Sequence, residues 1–166
     1  MLSNNKAIRP VMHSDAASLC SLYNYYIEHT VITFEEDTVS LQAMEERIRT
    51  ITARYPWLVW EDGGEVIGYA STNRWRERPA YRFSVENSLY LRHGFEGQGI
   101  GSCLLAALLD KLRQTDLHAV VAAITLPNER STAVHEKFGF KMTARFNEIG
   151  FKQDRWLDVG YWELLL

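Results

Sequence analysis

The chain predicts an α/β domain with a mixed central sheet and helices on both faces, in the order β-α-α-β-β-β-α-β-α-β-β. Three observations carry this. A strand near Phe83–Leu91 runs into a glycine-rich turn and then directly into an apolar helix. Two apolar runs flank Asp62-Gly63-Gly64, a strong hairpin signal. The remaining segments alternate between period-2 and period-3.6 apolar patterns, and that order places helices on both sides of one sheet.

Taken in order, Ala7–Val11 reads as a short first strand. Ser14-Asp15 caps a helix whose apolar side holds Ala17, Leu19, Cys20, Leu22, Tyr23, Tyr26 and Ile27. Ser40 caps a second helix with Leu41, Met44, Ile48 and Ile51 on one face and Glu45, Glu46, Arg47 and Arg49 largely opposite. Trp57–Trp60 and Val66–Ala70 form the hairpin. Phe83–Leu91 is the next strand, and a helix follows from about Gly99 to Thr115. Ala119–Leu126 is a strand, and Asn128–Phe138 a short helix ended by Gly139. Two closing strands lie near Phe140–Phe146 and Leu157–Leu165.

The 166 residues hold no composition break, repeat or low-complexity tract, so a single domain spans 1–166. A formal charge of −3 gives no electrostatic reason to expect nucleic-acid or anionic-membrane partners. Cys20 and Cys103 fall in helical patterns without metal-like spacing and read as reduced thiols, and no metal site is expected. Residues 1–6 carry no signal-sequence pattern, and the longest apolar run, Ala119–Ile124, is far too short to span a bilayer. The expectation is a soluble cytoplasmic protein.

The most informative stretch is Val85–Gly101. Gly97, Gly99 and Gly101 stand at alternate positions and let backbone N–H groups converge at a helix start, where the macrodipole is positive. That geometry binds phosphate. Glu86 lies upstream in the feeding strand, on one side with Ser84, Ser88 and Tyr90 and away from Phe83, Val85, Leu89 and Leu91. A Glu amid a strand is unfavourable on propensity grounds. A phosphate cradle beside a potential base suggests a phosphate-bearing cofactor that delivers a group to something that must first lose a proton.

Glu96-Gly97-Gln98-Gly99-Ile100-Gly101 fills the (Gln/Arg)-x-x-Gly-x-(Gly/Ala) signature of the GNAT acetyl-CoA-dependent N-acetyltransferases except at its first position. Tyr55-Pro56-Trp57-Leu58-Val59, Trp75-Arg76-x-Arg78, Tyr81, Val85-Glu86-x-Ser88-x-Tyr90, Leu126-Pro127-Asn128, His135-Glu136, Gly150-Phe151-Lys152 and Trp156-x-Asp158-Val159-Gly160 extend the likeness over nearly the whole chain. Together they resemble the phosphinothricin and methionine-sulfone acetyltransferase branch. The departure is Glu96, where the family it resembles usually places Gln or Arg; an acidic side chain there should weaken pyrophosphate binding somewhat, although the backbone donors remain.

The resemblance implies acetyl-CoA as co-substrate and direct transfer of its acetyl group to the α-amino group of a small amino-acid analogue. Glu86 is then the general base that takes the ammonium proton. The backbone N–H of Leu89 would polarise the thioester carbonyl. The pantetheine arm would lie along Leu89, Tyr90 and Leu91 like an added strand. Gly97, Gln98, Gly99, Ile100, Gly101 and Ser102 would hold the pyrophosphate. Asn128 offers an amide to pantetheine or acts as a helix N-cap, and Lys137 reaches a CoA phosphate or is simply solvated. His135 occupies the slot of a proton donor to the departing thiolate. A helix histidine that packs and hydrogen-bonds without chemistry fits the same position. Arg76 and Arg78, two apart on an extended backbone, would point the same way towards a substrate carboxylate or phosphinate, with Trp75 and Tyr81 as walls. Phe34 resembles a substrate-wall position of this branch. The aromatic-rich C-terminal segment is read as core and homodimer contact. Two other classes fit parts of the pattern. One is an idle acetyl-CoA-binding module, against which Glu86 and His135 argue. The other is a dinucleotide-binding domain, whose acidic residue past the turn would have to be Asp116, which stands ahead of the next strand rather than at its end.

Overall fold

The computed structural model describes residues 6–166; the reading of residues 1–5 as free of a signal pattern lies outside them. The elements are β1 (Lys6–Pro10), α1 (Ala16–His29), α2 (Leu41–Thr52), β2 (Trp57–Asp62), β3 (Glu65–Arg74), β4 (Ser84–Leu91), α3 (Ile100–Leu112), β5 (Ala119–Leu126), α4 (Glu129–Lys137), β6 (Lys141–Lys152) and β7 (Arg155–Leu165). One seven-stranded sheet runs β1-β2-β3-β4-β5-β7-β6. All neighbours are antiparallel except the parallel pair β4–β5. This is the α/β architecture the sequence predicts.

Local chemistry explains most boundaries. Gly63 and Gly64 adopt φ of 60° and 88°, the left-handed region a two-residue hairpin turn needs and which only glycine enters at little cost. Ser40 Oγ accepts from the Ala43 N–H at 3.1 Å and starts α2. At α1 the expected Ser14-Asp15 cap is replaced by a 3-10 turn over His13–Asp15. The Asp15 carboxylate is diverted to Arg9, at 2.7 and 2.9 Å, and to the Met12 N–H at 2.7 Å, so β1 and α1 are joined by a bidentate ion pair.

Two cores sandwich the sheet. On one face Leu104, Leu105, Leu108, Leu109 and Leu112 of α3 are fully buried, in one cluster with Leu58, Ile67, Ala70 and Val85. On the other face Leu19, Tyr23, Tyr26, Met44 and Ile48 of α1 and α2 cover Trp57, Val59 and Tyr69. Each buried leucine contributes about 1.5–3 kcal/mol, whereas a side-chain helix cap is worth about 1 kcal/mol. Helix α3 therefore holds its place by docking. Its N-cap Gly99 supplies no side-chain cap, which leaves the first-turn N–H groups without partners inside the helix.

The closing strands are longer than expected. β6 extends to Lys152 and β7 begins at Arg155 because the pair continues across irregularities at Met142/Ala144 and Phe146/Gly150. Glu148 (φ 51°) lies within the second of these, and Gln153 and Asp154 (φ 51° and 55°) make the tight turn without glycine. The bulges break the period-2 pattern by which the strand would have been traced.

Candidate active site

The site is built where two strands part. β4 and β5 pair only at Ser84–Ala119, Val85–Val120 and Glu86–Val121, although both strands run on to Leu91 and Leu126. A cavity of about 410 Å³ fills the gap, lined by Glu86, Asn87, Ser88, Leu89 and Tyr90 from β4 and Ala122–Thr125 from β5. The Arg92 N–H donates to Ile67 O at 2.7 Å, which fixes the alternation of the β3–β4 ladder. Tyr90, Ser88 and Glu86 exchange bonds with β3, so the N–H and C=O of Leu89 turn to the gap. Leu91 turns the same way, and its carbonyl accepts from Tyr26 Oη at 2.7 Å.

Glu86 stands at the last paired position, half-buried at the floor of the gap. Burial pushes its carboxyl above the ordinary carboxylate range, against the pull of the Arg76 guanidinium. Phe34 and Ile32, from the α1–α2 connection, line the same cavity with Ile149, Val159 and Tyr161. The arginine segment behaves differently from the extended pair expected. Its backbone bends at Trp75, Glu77 and Arg78 before the 3-10 turn at Pro79–Tyr81. Arg76 lies over the Trp75 ring at 4.4 Å, and Trp75 meets Tyr161, a cavity wall, edge to face at 5.7 Å. None of Trp75, Arg76, Arg78 and Tyr81 lines the cavity; Trp75 reaches it through Tyr161 and Arg76 through its pull on Glu86. Arg78 and Tyr81 are exposed.

A second cavity of about 570 Å³ continues from the first along β4 to the glycine turn. It is lined by Leu89, Tyr90 and Leu91, by Gly97, Gly99, Gly101 and Ser102, and by Asn128. Gly97 and Gly99 have φ of 77° and 81°, and a Cβ on either would meet nothing within 4 Å. Backbone conformation, not space, requires glycine there. Gly101 is helical and buried, and a Cβ added there would make only ordinary contacts with Leu89 and Leu91. Of the other expected cofactor contacts, Gln98 is exposed, Ile100 belongs to the core, and Lys137 is exposed with its ammonium over Phe138; none lines the channel. Arg130 and the α1 residues Tyr25 and Tyr26 line it instead. The Glu96 carboxylate folds back to accept from the Gly94 N–H at 2.9 Å and faces His93 Nδ1 at 3.7 Å. Asn128 is the α4 N-cap, its Oδ1 accepting from the Ser131 N–H at 3.2 Å, and it touches both cavities.

His135 is 3% exposed and both ring nitrogens are engaged. Nδ1 lies 2.8 Å from Ser131 O, which can only accept, so Nδ1 carries the hydrogen. Burial pushes the imidazolium pKa down, leaving a neutral ring whose Nε2 accepts from Asn87 Nδ2 at 2.9 Å.

A parallel strand pair that parts over a glycine-turned helix defines a domain built to lay a long phosphate-bearing ligand along an open strand. The chain belongs to the acetyltransferase (GNAT) family, whose model matches residues 19–140. It is 35% identical over 156 residues to phosphinothricin N-acetyltransferase of Streptomyces viridochromogenes, covering 94% of this chain and 85% of that one. It is 36% identical over 163 residues to the L-methionine sulfoximine/L-methionine sulfone acetyltransferase of Salmonella typhimurium, covering 96% and 94%. Among solved structures, a Salmonella typhimurium protein with its cofactor acetyl-CoA superposes with a TM-score of 0.95 at 34% identity, covering 98% and 94%. A Sinorhizobium meliloti phosphinothricin acetyltransferase in complex with acetyl-CoA gives 0.93 at 34%, covering 97% and 88%. The chain is an acetyl-CoA-dependent N-acetyltransferase. The channel fits that co-substrate: left-handed glycines at the helix start suit the pyrophosphate, and outward N–H and C=O groups on β4 suit the pantetheine amides.

Proposed function

We propose that this enzyme acetylates the α-amino group of a small amino-acid analogue such as phosphinothricin, methionine sulfone or methionine sulfoximine, by direct transfer. The observation that carries this reading is the position of Glu86: a half-buried carboxylate of raised pKa lining a cavity that opens into the cofactor channel at Leu89, Tyr90, Asn128 and Ser131. The named activities of the relatives support the substrate class.

Acetyl-CoA supplies an activated acyl group whose thiol leaves readily, its pKa being near 8.5. The amine must arrive neutral, and Glu86 takes its proton, directly or through a water. A carboxylate lifted above its ordinary range is better matched to that task. The Leu89 N–H, aimed at the gap, stabilises the negative charge that develops on the carbonyl oxygen. For His135 the geometry favours the role without chemistry, because its one ring hydrogen is committed to Ser131 O. Arg76 and Arg78 attract the substrate's carboxylate to the mouth beside Trp75.

The reading extends to a cytoplasmic, detoxifying homodimer that needs no metal, nucleic acid or membrane. Phe146, Ile149, Phe151 and Trp156 leave large apolar surfaces exposed on the β6–β7 hairpin, where a second copy would cover them.

The test is Arg78→Ala with paired substrates. KM for methionine sulfone should rise about tenfold to a hundredfold, the worth of a charge-assisted hydrogen bond, while the acetyl-CoA KM stays put. Substrates with an amidated carboxylate should be poor for the native enzyme and lose little more. Equal losses for free-acid and amidated substrates would mean that the arginines hold the loop and that the acceptor is a different amine.

A further inference from the structure

Lys152 is an unusual lysine. It is 4% exposed, at the end of β6, and among the described residues its ammonium forms no ion pair. Nζ donates instead to the main-chain carbonyls of Thr33 and Glu35, each at 2.8 Å, the residues on either side of Phe34. Removing an ammonium from water is expensive unless its donors are used, and here two of them hold the backbone of an 11-residue connection, residues 30–40, that has no helix or strand of its own.

That connection is fixed at several points. Tyr23 Oη lies 2.8 Å from both Thr33 Oγ1 and Glu35 Oε1, Arg47 pairs with the Glu35 carboxylate at 2.8 and 2.9 Å, and Thr125 Oγ1 donates to Ile32 O at 3.3 Å. Among the described residues, Lys152 alone grips the main chain on both sides of Phe34. Gly150 lies two residues earlier on β6, and a Cβ there would overlap the Phe34 ring. One strand thus supplies both the seat for the ring and the clamp on its backbone. Phe34, 41% exposed, lines the cavity that holds Glu86.

We propose that Lys152 and Gly150 are positioning residues that set Phe34 as the apolar wall for the acceptor's side chain, so that the β6–β7 hairpin determines which acceptor lengths are favoured. This rests on the reading of the cavity as an amino-acid site. The pair touches neither the amine nor acetyl-CoA; it acts through Phe34.

A double-mutant cycle tests the proposal, read as the ratio of kcat/KM for methionine sulfone to that for alanine. Lys152→Met should lower the ratio about tenfold, the scale of a lost apolar pocket contact, with the acetyl-CoA KM unchanged. In a Phe34→Ala background the same substitution should change the ratio no further. Hydrogen exchange at amides 31–37 should speed up in Lys152→Met. Gly150→Ala, whose backbone lies outside the left-handed region, should shift the ratio while leaving that exchange slow. A folded Lys152→Met enzyme with an unchanged ratio, or losses that multiply in the double mutant, would overturn the proposal. If the native enzyme releases no thiol with any amino acid, the proposed substrate class fails. The clamp then stands or falls on exchange, and equal rates in native and Lys152→Met protein reject it.

Discussion

Glu86, the proposed base, stands in a place that disfavours its charge. Burial raises its carboxyl pKa, so between the ordinary carboxylate value and the folded-state value the native protein binds more protons than the unfolded chain. Stability therefore falls as pH rises through that window, and the ionised carboxylate remains a net cost above it. Glu86→Gln should give a Tm equal to or slightly above native at pH 7.5, with the difference shrinking towards pH 4, measured by circular dichroism melts. A destabilised Glu86→Gln at neutral pH would mean that the carboxylate makes a structural bond in the fold. Asp15 has the opposite sign. Burial alone would raise its pKa, but the Arg9 pair and the Met12 N–H together hold it below the ordinary value. Its contribution is present above the unfolded pKa and is lost as pH falls through the folded one. Arg9→Met should destabilise by about 1.5–3 kcal/mol at pH 7, and by progressively less in acid.

At the scale of elements, α3 depends on glycine at its entrance. Gly99→Val would place a β-branched side chain at φ 81°, a conformation such residues rarely adopt. If this turn holds the pyrophosphate, acetyl-CoA affinity should fall at least about tenfold by calorimetry. The helix itself should stay docked, because its buried leucines and not its N-cap hold it. A folded variant with native affinity would remove the turn from the cofactor site. Elements with one clean period were legible in the sequence. Ala119–Leu126 was bounded to the residue, and the glycine turn, the Ser40 and Asn128 caps and Glu86 stood out by chemistry that is local in the chain. What stayed hidden was non-local. The ion pair between Arg9 and Asp15 displaced the expected α1 cap. Bulges masked the second half of β6, past Phe146, and its turn uses Gln153 and Asp154 in place of glycine. Tyr161 enters the cavity only because β7 lies beside β5, and Arg130 enters the channel only because α4 follows the parted strands. An Arg at the second position of a short helix carries no such signal.

For the whole molecule, the open gap between β4 and β5 and the apolar β6–β7 hairpin lie on one continuous structure, joined by Ile149, which is 57% exposed and also lines the cavity. A homodimer formed over this hairpin would shield Phe146, Phe151 and Trp156 and border the substrate mouth. Sedimentation should give a species of about twice the 19.2 kDa chain mass, and Trp156→Lys should shift it towards monomer while raising the amino-acid KM more than the acetyl-CoA KM. A native monomer at micromolar concentration would withdraw the dimer. The central claim is acetyl transfer to a small amino acid with Glu86 as base. The most direct measurement is acetyl-CoA-dependent thiol release with methionine sulfone, for native enzyme and Glu86→Gln, from pH 6 to 10. The account predicts that Glu86→Gln still binds acetyl-CoA but loses about 10²–10⁴-fold in kcat at pH 7, the usual worth of a general base, with the deficit narrowing as the amine deprotonates unaided. Near-native turnover of Glu86→Gln at pH 7, or a deficit that stays constant across the range, would contradict it.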